Sequence, residues 1–384
     1  MPISRAAGDD FSVDRLTHLL SGAAARCDGL LKRLGRFETR LLEDRLGPVD
    51  RPVYVAGLAR SGSTLLLEIL DWHPDVVTHR YRDFPLLHVP VLWNRFLDHA
   101  ARDPGAPRER AHRDGIMITR DSPEAFEEVL WMSFFPHLHE TGRTSVLDGS
   151  TQHPEFEAFY RDHIRKLLML RGGSRYVSKG NYNVTRLEYL LRLFPDARFV
   201  VPVRNPYWHV ASLIKQQKLF LAGQADNARA LAHLQRAGHF EFGLDRRVIH
   251  TGDDAAVASV LTCWQDGREV EGWARYWSMI YGFVIDRLEA HPELAAATLL
   301  LPYEALCREP ARTAEILFEH CALTPSAELT RRAAERVRFP DYYTPDLSDA
   351  DRELIARVTG ETTRRLREYS HAAAVAVGEG MQIA

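Results

Sequence analysis

The feature that most constrains this chain is a short apolar strand that leads through a glycine- and serine-rich loop into a helix. The strand is predicted over 52–58, the loop reads GLARSGST over 57–64, and the helix Thr64–Trp72 is stopped by His73-Pro74. A buried parallel strand with such a turn presents backbone amides at a helix N-terminus, where the helix dipole favours an anion. This layout is that of a phosphate-binding loop.

The rest of the chain alternates between short β-branched runs and longer amphipathic patterns. Further strands are predicted over 75–79, 144–150, 175–180, 198–204 and 297–303, and helices over 121–135, 154–170, 183–194, 206–221, 271–291, 309–321, 326–337 and 348–370. Such alternation is typical of a P-loop-type three-layer α/β/α fold with a mostly parallel central sheet and helical insertions.

We find neither an internal repeat nor a low-complexity linker, so a single domain over 1–384 is predicted. Residues 1–50 carry helical spacing and are expected to form N-terminal helices ahead of the first strand. Residues 222–268 break the strand–helix alternation and hold five glycines. We interpret them as an insertion that serves as a lid or an acceptor wall.

Composition excludes several classes of protein. Apolar residues at 45% and charged residues at 26% are ordinary for a globular chain, and the net charge of −3 argues against general binding to nucleic acid or anionic membranes. The four cysteines form no CxxC pair or zinc-ligand spacing, so no metal site is expected. The N-terminus lacks the apolar region of a signal peptide and no run spans a membrane, which favours a cytoplasmic location.

The loop departs from that of a nucleotide triphosphatase at the position of the phosphate-binding lysine, where this chain has Ser63. Without that lysine and without a clear Walker B aspartate, little remains to hold a magnesium-bound triphosphate. Arg60 offers instead a planar fork of donors, which suits a phosphate or sulfate oxygen. A local anion site of a different kind is therefore predicted.

A second strand–helix junction points to a second anion site. In RFVVPVRNPYWHVASLIKQ, over 198–216, the strand ends at Arg204 and Asn205-Pro206 caps and starts a helix. Ser212 lies eight residues after Arg204, about two turns into that helix. A strand-end arginine and a helix-borne hydroxyl are thereby expected to converge on one terminal phosphate.

Together, AGLARSGSTLLLEILDWHPDV and RFVVPVRNPYWHVASL resemble the sulfotransferases that use 3′-phosphoadenosine 5′-phosphosulfate (PAPS). LPYEALCREPARTAEILFEHCAL, over 301–323, is similar to a later segment of these enzymes, and the resemblance covers about 52–325. It is closest to the branch of tyrosylprotein, heparan and bacterial sulfotransferases.

The resemblance implies that the loop binds a phosphosulfate without a metal ion. The 5′-phosphosulfate would lie against Arg60 and the amides of Ser61, Gly62, Ser63 and Thr64. Arg204 and Ser212 would hold the 3′-phosphate of PAPS and of its product, adenosine 3′,5′-bisphosphate.

Sulfuryl transfer is in line and needs a cation at the leaving oxygen and a base for the acceptor hydroxyl. Lys179, in YVSKGN, is the expected cation, although relatives have a Lys-x-Pro there. Relatives place a base glutamate just beyond the HPDV segment, where this chain has Tyr81 and Arg82. Asp83 is then the first candidate for the base and His79 the second.

If neither acts, the base is expected within 123–139, where Glu127, Glu128, His137 and His139 are more typical of a solvated or acceptor-facing surface. The acceptor stays open: a sugar hydroxyl, a lipid or polyketide alcohol, a phenol or a peptide tyrosine. Two other functions also stay open: a P-loop kinase acting on a small molecule, and a non-catalytic module that binds PAPS or another nucleotide. The sequence leaves the oligomeric state undetermined.

Overall fold

The computed structural model describes residues 11–100, 106–339 and 345–377, with side chains up to residue 370. Within these residues seven strands form: β1 Val53–Ala56, β2 Val76–Val77, β3 Arg108–Glu109, β4 Met117–Ile118, β5 Arg175–Gly180, β6 Arg198–Val203 and β7 Thr298–Pro302. Five of them build one parallel sheet in the order β2-β5-β1-β6-β7, and β3 and β4 form a separate antiparallel hairpin.

Strand β1 lies at the centre of the sheet, with β5 on one side and β6 on the other. Its register places Val55 opposite Lys179 of β5 and Val200 of β6. The chain leaves β1 towards one side of the sheet and later returns to the other side. The carboxyl end of β1 is therefore the switch point at which open α/β sheets bind ligands.

The helices of the described chain are α1 Arg15–Arg26, α2 Asp28–Leu42, α3 Ser63–Asp71, α4 Pro90–Ala100, α5 Glu128–Phe134, α6 Pro154–Arg171, α7 Leu187–Leu193, α8 Pro206–Gln224, α9 Ala228–Ala237, α10 Asp254–Gln265, α11 Glu269–Ala290, α12 Pro292–Ala297, α13 Tyr303–Arg308, α14 Pro310–His320, α15 Ala327–Arg336 and α16 Asp349–Val377. No helix in this part of the chain has both the length and the apolar character that crossing a membrane requires.

The alternating side chains of β1 divide the core into two layers. Val53 and Val55 pack with α3, α13, α14 and α15 on one face of the sheet. Tyr54 and Ala56 face the larger cluster, which contains residues of α6, α7, α8 and α11. Because successive strand residues point to opposite faces, an all-apolar strand must be covered on both sides. The predicted three-layer α/β/α architecture is confirmed.

Two predicted elements are wrong. Residues 144–150, all of them described, form no strand; Ser145 and Leu147 donate single backbone hydrogen bonds to His250 and Thr185, and no ladder forms. The helix predicted over 121–135 begins only at Glu128. Pro123 instead makes a β-bridge with Arg80, so tertiary pairing overrides the helical pattern of 121–127.

Helices α1 and α2 confirm the helical character of the described part of 1–50, of which residues 1–10 lie outside the described residues. The predicted insertion 222–268 contains the last residues of α8 and all of α9 and α10, with glycine-bearing loops between them. Its loop after α9 reaches the carboxyl edge of the sheet, where Glu241 accepts a hydrogen bond from Asn181, the residue that follows β5. Its role as lid or acceptor wall stays a prediction, as does the single-domain organisation.

Candidate functional site: a predicted anion-binding loop and a cluster of charges

The loop after β1 combines two residues with positive φ. Gly62 has a φ of +101° and directly precedes α3, and a Cβ atom there would come within 2.5 Å of the Tyr303 ring. Arg60 has a φ of +71°, a conformation that non-glycine residues adopt rarely and that often marks functional sites. The loop thus brings its backbone close to neighbouring groups and fixes the direction of the Arg60 side chain.

The two predicted anion-binding motifs meet in space. The Nε of Arg60 donates to the Oγ of Ser212 at 3.3 Å, and Nη1 of Arg204 donates to the carbonyl of Arg60 at 3.2 Å. Arg204 is 5% exposed, and its Nε has no hydrogen-bond partner among the described residues. A buried guanidinium with an N–H group that makes no hydrogen bond is suited to bind an anion.

The position of Ser212 follows from how α8 begins. The side chain of Asn205 accepts from the amide of Tyr207 at 3.1 Å, and Pro206 occupies the first helical position, as predicted. The Asn205 amide donates to the Glu304 carboxylate at 3.0 Å, which ties this turn to α13. The cap fixes the phase of α8, and Ser212 consequently faces the loop.

The β3–β4 hairpin places an acidic and a basic residue, Asp114 and Arg110, against the loop. Neither residue was predicted from the sequence. Asp114 accepts from Nη1 of Arg60 at 2.7 Å and from Nε of Arg110 at 2.9 Å, with a second, shorter contact from Arg110. Arg110 also donates to the hydroxyl of Thr64 at 3.3 Å, at the start of α3. A carboxylate therefore lies between two arginines beside the helix N-terminus.

Both groups of this hairpin are strongly perturbed. Burial acts to raise the pKa of Asp114, but the hydrogen bond and charge of Arg110 and the charge of Arg60 hold it far below its usual value. The same carboxylate offsets burial at Arg110 and raises the pKa of its guanidinium. The predicted anion site thus already contains one negative charge, which the protein itself supplies.

Lys179 and Glu124 lie at the centre of a cluster of charged side chains next to the loop. Lys179 is the last residue but one of β5, beside the carboxyl end of β1, and both side chains are partly exposed. Burial lowers the pKa of Lys179 below its usual value, although the charge of Glu124 opposes this shift. Burial acts to raise the pKa of Glu124, but Lys179 is the strongest of the groups that bring it below its usual value, so this carboxylate is ionised beside a cation.

The loop after α9 adds a second acid–base pair to this cluster of charges. His239 Nδ1 is 3.7 Å from the Glu241 carboxylate, which also accepts from Nδ2 of Asn181 at 2.7 Å. Burial acts to lower the pKa of His239, but the nearby carboxylate of Glu241 raises it above its usual value. The charges of Glu124 and Lys179 act on His239 as well, so the four groups form one electrostatic cluster.

Asp83, the first predicted base, has a different environment. Its side chain is 1% exposed and accepts from Nη2 of Arg171 at 2.7 and 2.8 Å. It also accepts from Nδ2 of Asn94 at 2.9 Å and from the Arg80 amide at 2.8 Å. Fixed donors of the protein thus occupy both carboxylate oxygens, which favours a structural role, and its role as base stays a prediction.

His79, the second candidate, is also enclosed by the core. Its Nε2 lies 2.8 Å from Nε2 of His163, and its Nδ1 lies 3.3 Å from the Tyr176 hydroxyl. Burial lowers the pKa of His79 to about 4. Both ring nitrogens therefore have partners inside the protein, and nothing in this geometry directs the ring towards an acceptor.

Glu127 and Glu128 are buried and do not form a solvated surface, so that part of the prediction is wrong for these two residues. Glu127 accepts from the Tyr176 hydroxyl at 2.7 Å, and Glu128 pairs with the fully buried Arg186 through two hydrogen bonds of 2.8 Å. Both carboxylates hold elements of the core together. Among the described residues, no group of three or more His, Cys, Asp or Glu side chains is placed to hold a metal ion.

Sequence reasoning missed Arg110, Asp114, Glu124, His239 and Glu241. Arg110 and Asp114 are in a stretch that reads as a polar loop, and Glu124 is in a stretch that reads as a helix. His239 and Glu241 stand one residue apart in the insertion 222–268. That alternation of histidine and glutamate after a glycine was the one local signal that could have drawn attention to them.

Comparison with known proteins identifies the family of this chain. A family model described as the sulfotransferase family matches residues 52–246, which include both anion-binding motifs, Lys179 and the His239–Glu241 pair. No curated protein matches the chain.

Among solved structures, sulfotransferase STF9 from Mycobacterium avium is 16% identical, with a TM-score of 0.45 over 85% of this chain and 80% of that one. Sulfotransferase STF1 from Mycobacterium tuberculosis H37Rv is 19% identical, with a TM-score of 0.44 over 87% and 81%. A sulfotransferase from Alicyclobacillus acidocaldarius is 12% identical, with a TM-score of 0.41 over 87% and 98%. Because the family model spans more than half of the 384 residues and covers the anion-binding loop, this chain belongs to the sulfotransferase family.

Proposed function

We propose that the protein transfers the sulfuryl group of PAPS to an acceptor hydroxyl. The observation that carries the proposal is the convergence of Arg60, Ser212 and Arg204 at the carboxyl end of β1. These two cationic side chains and this hydroxyl come from segments far apart in sequence. Together they suit a nucleotide that carries phosphate groups at both the 3′ and the 5′ position of its ribose. Arg60 and the amides of Ser61–Thr64 would hold the 5′-phosphosulfate.

Arg204 and Ser212 would hold the 3′-phosphate, which distinguishes PAPS from ATP. The buried, unpartnered Nε of Arg204 supports this assignment, because leaving such a donor unmet costs free energy that a bound anion recovers. The Oγ of Ser212 at present accepts from Arg60, and its own proton is available to a phosphate oxygen.

The carboxylate of Asp114 indicates where the anionic end of the donor would lie. It engages Arg60 and, through Arg110, adjoins Thr64, which are the groups that the phosphosulfate would need. An anionic group of the donor would therefore replace the Asp114 carboxylate at Arg60. The β3–β4 hairpin would then move away from the loop together with Asp114. Arg110 would remain available as a second guanidinium for the phosphosulfate.

Lys179 and Glu124 would serve the transfer itself. The S–O bond to the 5′-phosphate breaks as a bond to the acceptor oxygen forms, so the leaving oxygen gains charge and the acceptor hydroxyl loses a proton. Lys179 would stabilise the first charge, and Glu124 would accept the proton. Glu124 suits this role better than Asp83 or His79, because it is ionised, partly exposed and adjacent to Lys179.

The acceptor would approach along the loop after α9, where Asn181, His239 and Glu241 supply hydrogen-bonding groups. A wall of this kind matches an acceptor that carries polar groups next to its reacting hydroxyl, such as a sugar or another polyol. The insertion 222–268 would accordingly act as the acceptor wall.

Ligand-induced thermal stabilisation tests the donor assignment. Adenosine 3′,5′-bisphosphate should raise the unfolding midpoint of the wild type, whereas adenosine 5′-monophosphate and ATP with Mg²⁺ should raise it little. Arg204→Ala should remove most of the preference for the bisphosphate, about 2–3 kcal/mol for a lost charge-assisted pair.

Equal stabilisation by the mono- and bisphosphate would exclude the 3′-phosphate site, and stabilisation by ATP with Mg²⁺ alone would favour the kinase. A screen of hydroxyl acceptors with sulfur-labelled PAPS then measures transfer directly. Bisphosphate binding without transfer to any acceptor would indicate the non-catalytic module.

A further inference from the structure

Exposed large apolar side chains are concentrated on three neighbouring helices near the N-terminus. Of the twelve such side chains in the described chain, eight lie on α1, α2 and α4: Leu16, Leu19, Leu30, Leu34, Phe37, Leu41, Leu92 and Phe96. Cys27 alone separates α1 from α2, and the Leu92 amide of α4 donates to the Glu38 carboxylate of α2 at 2.6 Å. The exposed side chains of these three helices form what we call the N-terminal surface.

Helix α2 shows that this surface is a regular pattern. Its exposed residues Leu30, Leu34, Phe37 and Leu41 recur at the spacing of one helix face, and they are 38–63% exposed. One position further along, Leu31, Gly35, Glu38 and Leu42 recur at the same spacing and are buried against the protein. The inner face of α2 thus packs against the protein. No part of the described chain covers the outer apolar stripe.

The charges on the N-terminal surface are almost all positive. Its exposed ionised residues are Arg15, Arg26, Arg33, Arg40, Arg95 and one acid, Asp98. Asp98 forms an ion pair with Arg82, whereas Arg33, Arg40 and Arg95 form no ion pair with any described residue. In a chain with a net charge of −3, such a group of uncompensated arginines is a local feature.

We propose that the N-terminal surface docks onto an anionic lipid bilayer. Helices with leucine and phenylalanine interleaved with arginine lie in the bilayer interface, where the apolar side chains reach the acyl chains and the guanidinium groups reach lipid phosphates. Each arginine near an anionic leaflet adds attraction. The sulfotransferase would thus work as a peripheral membrane protein, a conclusion that does not rest on the proposed donor or base.

The charge pattern favours a bilayer over a second copy of the chain. A twofold contact would bring the same surface against itself and set Arg33 and Arg40 near their own copies. Asp98, the one exposed acid of the three helices, is already paired with Arg82. A bilayer that contains acidic lipids supplies both the negative charge that would compensate the arginines and an apolar interior for the leucine and phenylalanine side chains.

Flotation of the full chain with vesicles tests the proposal. Wild-type protein should float with vesicles of phosphatidylcholine and phosphatidylglycerol, should stay behind with phosphatidylcholine alone, and should be released by added salt. The double variant Leu34→Glu/Phe37→Glu and the double variant Arg33→Glu/Arg40→Glu should each reduce binding at least about tenfold. Because all four side chains are exposed or at the surface, the unfolding midpoint should stay near that of wild type.

Leu244→Glu is the matched control, since Leu244 is 56% exposed but lies outside the three helices. Its binding should equal that of wild type. Absence of wild-type binding to the anionic vesicles would overturn the proposal, and so would an equal loss in the Leu244 variant. A concentration-dependent dimer that Phe37→Glu dissociates would assign this surface to a second copy instead.

Discussion

Asp83 and Glu124 are carboxylates from two adjoining regions, yet the protein treats them in opposite ways. The regions touch where the Glu124 amide donates to the His79 carbonyl at 3.0 Å. Behind that contact, Asp83 is buried and bound on both oxygens by Arg171, Asn94 and a backbone amide. In front of it, Glu124 is partly exposed, accepts one local hydrogen bond from the Ala125 amide at 2.7 Å, and interacts with the charges of Lys179, His239 and Arg110.

The difference teaches how to separate a structural carboxylate from a chemical one. A buried charge is tolerated when the fold fills its hydrogen-bonding capacity, and it then has little left for a ligand. A charge that keeps some exposure and shares its counter-ions with a cleft can still exchange a proton with a substrate. Asp83 meets the first description and Glu124 the second.

The largest expected effect is on Glu124. Glu124→Gln should lower turnover by about 10²–10⁴-fold, because the acceptor hydroxyl loses its base. Adenosine 3′,5′-bisphosphate binding, followed by calorimetry, should stay near that of wild type. Full turnover in this variant would break the comparison and return the role of base to Asp83 or His79.

Asp83→Asn should lower the stability of the protein and should not act directly on the transfer step. Removing one partner of a buried ion pair leaves Arg171 uncompensated, which we expect to lower the free energy of unfolding by about 3 kcal/mol. Asp98→Asn is the control, since Asp98 is 58% exposed and its pair with Arg82 should contribute at most about 1 kcal/mol. Denaturant titration measures both variants. Loss of turnover in a folded Asp83 variant, at unchanged stability, would contradict the structural assignment.

Asp114 is an intermediate case, a buried carboxylate whose partners are those that the donor needs. Asp114→Asn should tighten bisphosphate binding by about 1–2 kcal/mol, because the donor no longer displaces a charged group from Arg60. Glu109→Gln provides the control, since Glu109 accepts from the Gly115 amide in the same hairpin and loses the same charge. Weaker binding in the Asp114 variant alone would show that this carboxylate organises the arginines for the donor.

The smallest effect concerns His79 and the pH dependence of stability. The unfolded chain takes up this proton near pH 6.5, whereas the folded protein holds the pKa of His79 at about 4. Between these values the unfolded state binds more protons, so stability falls as the pH falls, by at most about 1.4 kcal/mol per pH unit from this group. His79→Gln should reduce that slope in denaturant titrations between pH 7 and pH 5. An unchanged slope would place the titrating group elsewhere.

Local sequence determined the fold class and the proposed donor end of the site. The strand–loop–helix at β1 and the junction at Arg204 each depend on neighbouring residues: apolar alternation, a glycine at positive φ, and an asparagine cap followed by proline. Such signals can be recognised in the sequence without knowledge of long-range contacts. The predicted spacing of Arg204 and Ser212 therefore placed both beside Arg60.

Tertiary structure decided the proposed acceptor end. Whether Asp83 becomes a structural group depends on Arg171, which lies 88 residues further along the chain. Whether Glu124 lies beside Lys179 depends on the bridge between Pro123 and Arg80, which holds 121–127 out of the predicted helix. Spacing along the chain carries no information on which distant guanidinium neutralises which carboxylate, because that pairing is set when the sheet and its helices pack together.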